Sequence, residues 1–238
     1  MIAGLIGLLS FSQKIDKIIN AAEADRIERI LSADDMQGRK TFTPGIDKAA
    51  DFIAAEFAKS KLQFFNNSSS YFQEIVMTKA KPVEISGMLD TEPLNTGNVA
   101  ANTTAGHLHI GSLKDYGLVV VKKEDDFNKT VFPLFDNEKN LVILVDTVHA
   151  RRFKSMQRFA GNAKFTSAVS QIFILTANLN PAAIQLHIKN ELTEQRLKNV
   201  VGVIPGKSKK DEYVVFGGHY DHLGIGKPDA NGDSIYNG

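Results

Sequence analysis

The sequence contains no cysteine, so disulfides, thiolate zinc sites and cysteine nucleophiles are excluded. Any metal must be held by His, Asp and Glu. An excess of charge of either sign is also lacking: 28 Lys and Arg against 27 Asp and Glu leave a formal net charge of +1. Lys207, Lys209 and Lys210 form only a short basic turn. Neither nucleic acid nor an anionic membrane surface is therefore an expected partner. No Gly-x-Ser-x-Gly elbow occurs, which argues against a serine hydrolase. The stretch Gly202 to Gly206 lacks the Gly-Lys-Ser/Thr ending of a phosphate loop. There is no internal repeat and no low-complexity tract.

Long apolar runs are missing as well. Ile2 to Leu9 is apolar but far shorter than the roughly 20 residues that span a bilayer. Ser10 and Ser12 put small residues at the two positions a signal peptidase reads, although no positive charge precedes the run. Residues 1–12 are thus expected to be a signal peptide cleaved after Ser12, with a secreted or periplasmic product. The competing reading is a buried N-terminal helix or strand.

What is present is enough for a core: 238 residues, 43% of them hydrophobic, suffice for one large domain or two small ones. Helical spacing of Ile15, Ile18, Ile19, Ile27, Ile30 and Leu31 predicts a helix over Lys14 to Leu31. Thr43 as cap, Pro44 at the first position and an apolar face of Ile46, Ala49, Ala50, Ile53, Ala54 and Phe57 predict a second helix ending near Ser60. A strand-like run follows from Tyr71 to Thr78. Short β-prone runs then alternate with Gly, Asn and Asp turns, among them Gly117 to Lys122, Leu141 to Val145 and Gln171 to Thr176, with a helical piece over Ala150 to Phe159. Ala183 to Asn190 alternates in polarity, while Asn199 to Ile204 and Tyr213 to Phe216 are continuous apolar runs, as expected of strands covered on both faces. The fold class expected is α/β: residues 13–80 open one domain, 81–180 form a β-rich insert, and 181–238 resume the first domain.

The segment Gly217-Gly218-His219-Tyr220-Asp221-His222-Leu223-Gly224 is the best site candidate. It follows a predicted strand, and ligands of open α/β sheets gather beyond the carboxyl ends of strands. His219 can offer an imidazole nitrogen to a metal, and Asp221 can accept the other ring N–H and fix the tautomer. On spacing alone such a pair is more often a hydrogen-bonded loop pair than a metal site. His222 lines the site, contacts substrate or caps the loop. Asp229 and Asp233 lie in a Gly/Asn/Pro loop, where turn formation is the default role. His107 and His109 share one face of a predicted strand, a pattern read as surface or packing, and His149 and His187 read as structural.

The segment DEYVVFGGHYDHLGIG, preceded by NVVGVIPG and followed by GDSIYNG, resembles the di-zinc aminopeptidase family that also includes glutamate carboxypeptidase and the transferrin receptor. A second stretch, ILSADDMQGRKTFTPGIDKAADFIAAEFAKSKL, is similar to that family's N-terminal helix, Gly-Arg loop and Thr-Pro-Gly helix start. The strand–helix–strand order from Leu141 to Thr176 is similar to the protease-associated insert of many members. The resemblance implies a partial di-zinc peptidase domain, peptide substrates, and two zinc ions bridged by an Asp and a water, with a Glu as general base. His219 matches the first zinc ligand and Asp221 its orienting partner. Arg39, in the Gly-Arg loop, is expected to pair with an acidic residue of the peptidase core. The bridging Asp of the family follows Asn-Gly in an Ala-Asp-Asp motif. Asn237-Gly238 are the last residues here, so that Asp, the Glu and the other ligands have no counterpart, and these 238 residues alone are expected to be inactive. Two other readings stand beside removal of N-terminal residues: a non-catalytic peptide- or protein-binding module on a peptidase scaffold, and a glutaminyl-cyclase-like transferase with one zinc.

Overall fold

A computed structural model describes residues 20–209 and 211–238. The expected signal peptide and the first part of the first helix lie outside the described residues. From Asn20 the chain forms α1 (Ala21–Leu31), a 3-10 segment (Asp34–Arg39), α2 (Pro44–Lys59), β1 (Gln63–Phe64) and β2 (Phe72–Leu89). Then come β3 (Glu92–Leu94), β4 (Val99–Asn102), β5 (His107–Ile110), β6 (Gly117–Val121) and α3 (Phe127–Val131). β7 (Leu141–Asp146), α4 (Ala150–Ala160) and β8 (Gln171–Thr176) follow, and then β9 (Ile184–Val200), β10 (Gly202–Val203), β11 (Gly224–Ile225) and β12 (Ile235–Tyr236). The class is mixed α/β. The described residues form two compact units, one of residues 74–197 and one of residues 20–73 with 198–209 and 211–238. These boundaries differ from 80/81 and 180/181 because β2 runs unbroken through the first position and β9 stays with the same unit to Leu197.

Within residues 74–197, two four-stranded sheets have the orders β3-β2-β9-β5 and β4-β8-β7-β6. β6, β7 and β8 are parallel neighbours, and β4 is antiparallel to β8. Alternation decides the layers. Val142 and Leu144 of β7, with Ile172 and Ile174 of β8, face Ile85, Leu89, Ile110, Ile184, Leu186 and Ile188 of the other sheet. Leu141, Ile143, Val145 and Phe173 point the opposite way and are covered by Phe127 and Val131 of α3 and by Phe153, Met156 and Ala160 of α4. With both faces covered, β7 is buried from Leu141 to Val145, which is why it reads as an uninterrupted apolar run. Gly87 (φ 154) lets β2 approach β9 closely, since a Cβ there would collide with the Gln185 carbonyl. His149 is buried, its Nε2 2.9 Å from the Lys122 carbonyl, as a structural histidine should be. His187 is not: it is exposed on the outer face of β9, a correction that follows from its sitting between inward-facing Leu186 and Ile188.

In the other unit, α1 is capped by Asn20, whose side chain accepts from Glu23 N at 2.9 Å. α2 starts at Pro44 as expected, but Thr43 does not cap it; its hydroxyl donates backwards to the Lys40 carbonyl at 2.7 Å. Ile46, Ala49 and Ala50 of α2 are buried with Met36. Arg26 and Glu56 join α1 to α2 at 2.7 Å. Tyr71 sits edge-on to Phe57 and Phe64, and β1 pairs antiparallel with β10, placing Phe64 opposite Gly202. Tyr213 to Phe216 correct the sequence reading. They form no strand, and their exposure runs from 68% at Tyr213 to 93% at Phe216. A β-prone run becomes a strand only where a partner edge is available, and among the described residues none pairs with it.

Asp90 links the end of β2 to the approach to β9. Its carboxylate accepts Ala183 N at 2.8 Å, Ala182 N at 3.0 Å and Asn178 Nδ2 at 2.8 Å. The Ala183 and Ala182 N–H groups, then Asn178, hold its pKa below the ordinary 3.8. A carboxyl held low in the folded state adds stability that is fully present above 3.8 and lost as pH falls through its folded value. Asn tolerates the φ of 50° at this position, so Asp90→Asn removes the charge and spares the backbone. The variant should have a lower urea midpoint than the parent at about pH 7, with the gap narrowing toward about pH 3. A gap constant over that range would contradict the assignment.

Candidate functional site

The 3-10 segment Asp34–Arg39 is kinked by two residues in the left-handed region, Gln37 (φ 52) and Gly38 (φ 62). At Gly38 a Cβ would run into the carbonyls of Gly224 and Tyr236, so only glycine lets this loop lie against the β11–β12 hairpin. Gly224 (φ 83) faces it, its own hypothetical Cβ lying 2.7 Å from Lys40 Cβ. This contact puts Arg39 where its fork of donors reaches three carbonyls. Nε donates to Tyr220 O at 3.0 Å, and Nη1 donates to Asn237 O at 2.9 Å and to Leu31 O. His222 N returns a bond to Arg39 O at 3.0 Å. Burial lowers the pKa of the guanidinium, and the Asp221 carboxylate opposes that shift. Arg39 is therefore structural, as expected, but its partners are main-chain carbonyls and not an acidic side chain. The two stretches of sequence singled out as candidates, some 180 residues apart, are joined through this side chain.

His219 and Asp221 come together in the extended segment held by Arg39. His219 Nδ1 lies 3.1 Å from the Asp221 carbonyl oxygen and 3.4 Å from Asp221 Oδ1. Both neighbours are acceptors, so Nδ1 is the protonated nitrogen of the neutral ring and Nε2 keeps its lone pair. The His219 side chain is 82% exposed and that of Asp221 45%. An imidazole oriented by a carboxylate, with its second nitrogen open to solvent, can take a metal ion or a proton. It cannot make a metal centre alone. Among the described residues no three His, Asp or Glu side chains converge on one point. A zinc centre takes about three protein ligands, so the residues present fit one ligand position and its support, and no more.

The other candidates fall elsewhere. His222 contributes its backbone to the Arg39 contact and is half-buried. Asp229 closes a turn, its Oδ1 accepting Asn231 N at 2.7 Å and Asp233 N at 3.0 Å; Asp233 Oδ1 accepts Ile235 N at 2.8 Å. Gly217 and Gly218 form no turn: nothing stands within 4 Å of a Cβ at either position, and neither has positive φ. Tyr220 was passed over. Its hydroxyl donates to the Lys198 carbonyl, and burial first, then the charges of Asp47 and Asp221, raises its pKa. Lys198 in turn meets Asp47 at 3.2 Å and lies over the Phe72 ring. The signal for Tyr220 was the period-two alternation His-Tyr-Asp in an extended segment, which sends the aromatic residue to the face opposite its neighbours.

Replacing Arg39 by Met keeps the aliphatic stem and removes all three donors. Carbonyls losing a charged donor should cost at least about 1.5 kcal/mol. Backbone hydrogen exchange should rise at His222, while amides of β7 and β8 keep their protection. Unchanged exchange at His222 would show that the segment is held by something else.

Residues 199–235 match the family model described as Peptidase family M28. Transferrin receptor protein 1 of Gallus gallus is 26% identical over 125 residues, which are 51% of this chain and 16% of the receptor. Among solved structures, an aminopeptidase from Aneurinibacillus sp. is 16% identical with a TM-score of 0.33, over 82% of this chain and 50% of that one. BSAP, a zinc aminopeptidase from Bacillus subtilis, is 13% identical with a TM-score of 0.25, over 79% and 48%. A Peptidase M28 precursor from Shewanella amazonensis is 13% identical with a TM-score of 0.26, over 89% and 59%. The chain thus spans about half the length of these solved proteins and a smaller share of the receptor. The segment 199–235, which contains both His219 and Asp221, is thus the part of the chain that is similar to peptidase family M28.

Proposed function

We infer that this chain is part of a zinc-dependent aminopeptidase that removes N-terminal residues from peptides by metal-activated water. The observation that supports it is the position of His219 inside the matched segment, with Nδ1 turned toward Asp221 and Nε2 open. In this reading His219 Nε2 is one zinc ligand and Asp221 fixes the ring. The remaining ligands, a second zinc ion and the general base are supplied by chain that is not among these residues. The unit of residues 74–197 is read as a protease-associated-like insert, on its strand–helix–strand order from β7 to β8. The short apolar run before Ser12 supports export to the periplasm or the exterior.

A second reading has an observation of its own. The likeness to a transferrin receptor covers 125 residues, far more than the family match does, and favours a binding module on a peptidase scaffold. Metal counting decides between them. In the full protein that contains this chain, two zinc ions per protomer and hydrolysis of an aminoacyl chromogenic substrate support the enzyme; neither supports the binder.

In that full protein, His219→Ala should remove a ligand, lower the zinc count and abolish most turnover. Asp221→Asn keeps the shape and loses the charge, and should weaken zinc binding about 10–100-fold. Wild-type zinc content and turnover in His219→Ala would end the assignment. These 238 residues alone, supplied with zinc, should hydrolyse no aminoacyl chromogenic substrate. Measurable turnover by this chain would show that its own residues complete a centre.

A further inference from the structure

Within residues 74–197, β5 and β9 are antiparallel, and their register sets His109 directly opposite His187 and His107 opposite Lys189. The rings of His109 and His187 are 4.3 Å apart between centroids, tilted by 31°. The neighbouring positions on the same strands, Ile110, Leu186 and Ile188, are buried in the core between the sheets. That burial fixes the register, because a slip of one residue by either strand would turn its imidazole inward and its aliphatic side chains outward. The two rings are therefore held on one exposed face by the core behind them. Glu84 of β2 lines the same surface depression, with His107 and Lys189. Gly111 leaves His109 Nε2 uncovered, since even a Cβ there would stand only 3.3 Å away.

The geometry points to a chelating pair: His109 and His187 together bind a borderline transition-metal ion, of the Cu²⁺, Ni²⁺ and Zn²⁺ class. Directly opposed cross-strand residues have Cβ atoms about 5 Å apart, within which two imidazoles can turn their nitrogens onto one ion. Imidazole suits these ions and not Mg²⁺ or Ca²⁺, which take oxygen. Lys189 places a positive charge across from His107, which sets His107 apart from the pair. Two protein ligands leave the remaining positions to water, so the ion exchanges freely and is not a structural one. This site is separate from His219, and its residues belong to neither stretch that resembles the peptidase family.

The test is titration of the untagged chain with Cu²⁺, Ni²⁺, Zn²⁺ or Mg²⁺ alone, followed by calorimetry and by the imidazole resonances of ¹⁵N-labelled protein. Copper should bind tightest and magnesium not at all. His109→Gln and His187→Gln should each weaken binding by at least about tenfold, while His107→Gln leaves it within experimental error. All three changes are on exposed side chains, so folding is retained. Binding that survives His187→Gln, or that disappears with His107→Gln, overturns the pair. Shifts read at the His109 and His187 resonances report on this pair alone, which keeps the outcome distinct from the fate of the peptidase reading.

Discussion

The guanidinium of Arg39 holds together what the sequence keeps far apart. Its three acceptors are the carbonyl of Leu31 at the end of α1, that of Tyr220 in the site segment, and that of Asn237 beyond β12. No other side chain carries enough donors, fixed in one plane, to satisfy three main-chain oxygens at once, and none keeps its charge so reliably when partly buried. The arrangement also depends on backbone that only certain residues adopt. Gly38 must be glycine for the loop to lie under the β11–β12 hairpin, and Gly224 must be glycine for the hairpin to accept Lys40 beside it. A Lys at position 39 would keep the charge and lose the fork.

This constraint explains an asymmetry in the site segment. Downstream of His219 the segment is tied at several points: Tyr220 to Arg39 and to the Lys198 carbonyl, His222 to Arg39, Gly224 to Tyr236 through the β11–β12 pairing. Upstream, Gly217 and Gly218 meet nothing, and Val214, Val215 and Phe216 stand in solvent. The His219 imidazole is thus positioned from one side. The extended backbone between Tyr220 and His222 carries the Asp221 carbonyl and carboxylate back to Nδ1, so orientation of the ring comes from local geometry and needs no strand before it. Exposed aliphatic residues immediately before a held polar site are the expected place for a partner edge, because leaving them in water forgoes their burial.

Legibility followed the same division between local and non-local causes. α2 was readable because Pro44 and the spacing of its apolar face act within the helix, and β7 and β8 were readable because a strand covered on both faces is apolar along most of its length. Thr43 misled, since a hydroxyl before a helix can bond forwards or backwards and only the turn of the preceding residues decides. Tyr213 to Phe216 misled for a stronger reason: composition records the preference for a sheet, not the presence of a neighbour to pair with. The His219–Asp221 proximity was readable from spacing two apart in an extended segment. The role of Arg39 was half readable, as structural, but its acceptors are carbonyls, which have no residue type and leave no mark in the sequence. The facing of His109 and His187 was invisible, because register between strands some 80 residues apart is set by the core on the other side of the sheet.

The two imidazole sites are held by opposite means, and that bears on what each can do alone. His109 and His187 are fixed by burial of the aliphatic residues that alternate with them, a non-directional force spread over many contacts, and it brings two rings to one place. His219 is fixed by directional hydrogen bonds, since Arg39 and the Tyr220 hydroxyl hold the backbone beside it and its Nδ1 donates to the Asp221 carbonyl; these aim one ring and, among the described residues, bring no second ligand near it. Directional contacts define an orientation, so the nitrogen left free on His219 is specified as Nε2, whereas no hydrogen bond among the described contacts fixes the tautomer of either sheet histidine. A single well-aimed ligand suits a centre assembled from several segments, each contributing one group at a set angle. A loosely aimed pair suits an ion that keeps most of its water.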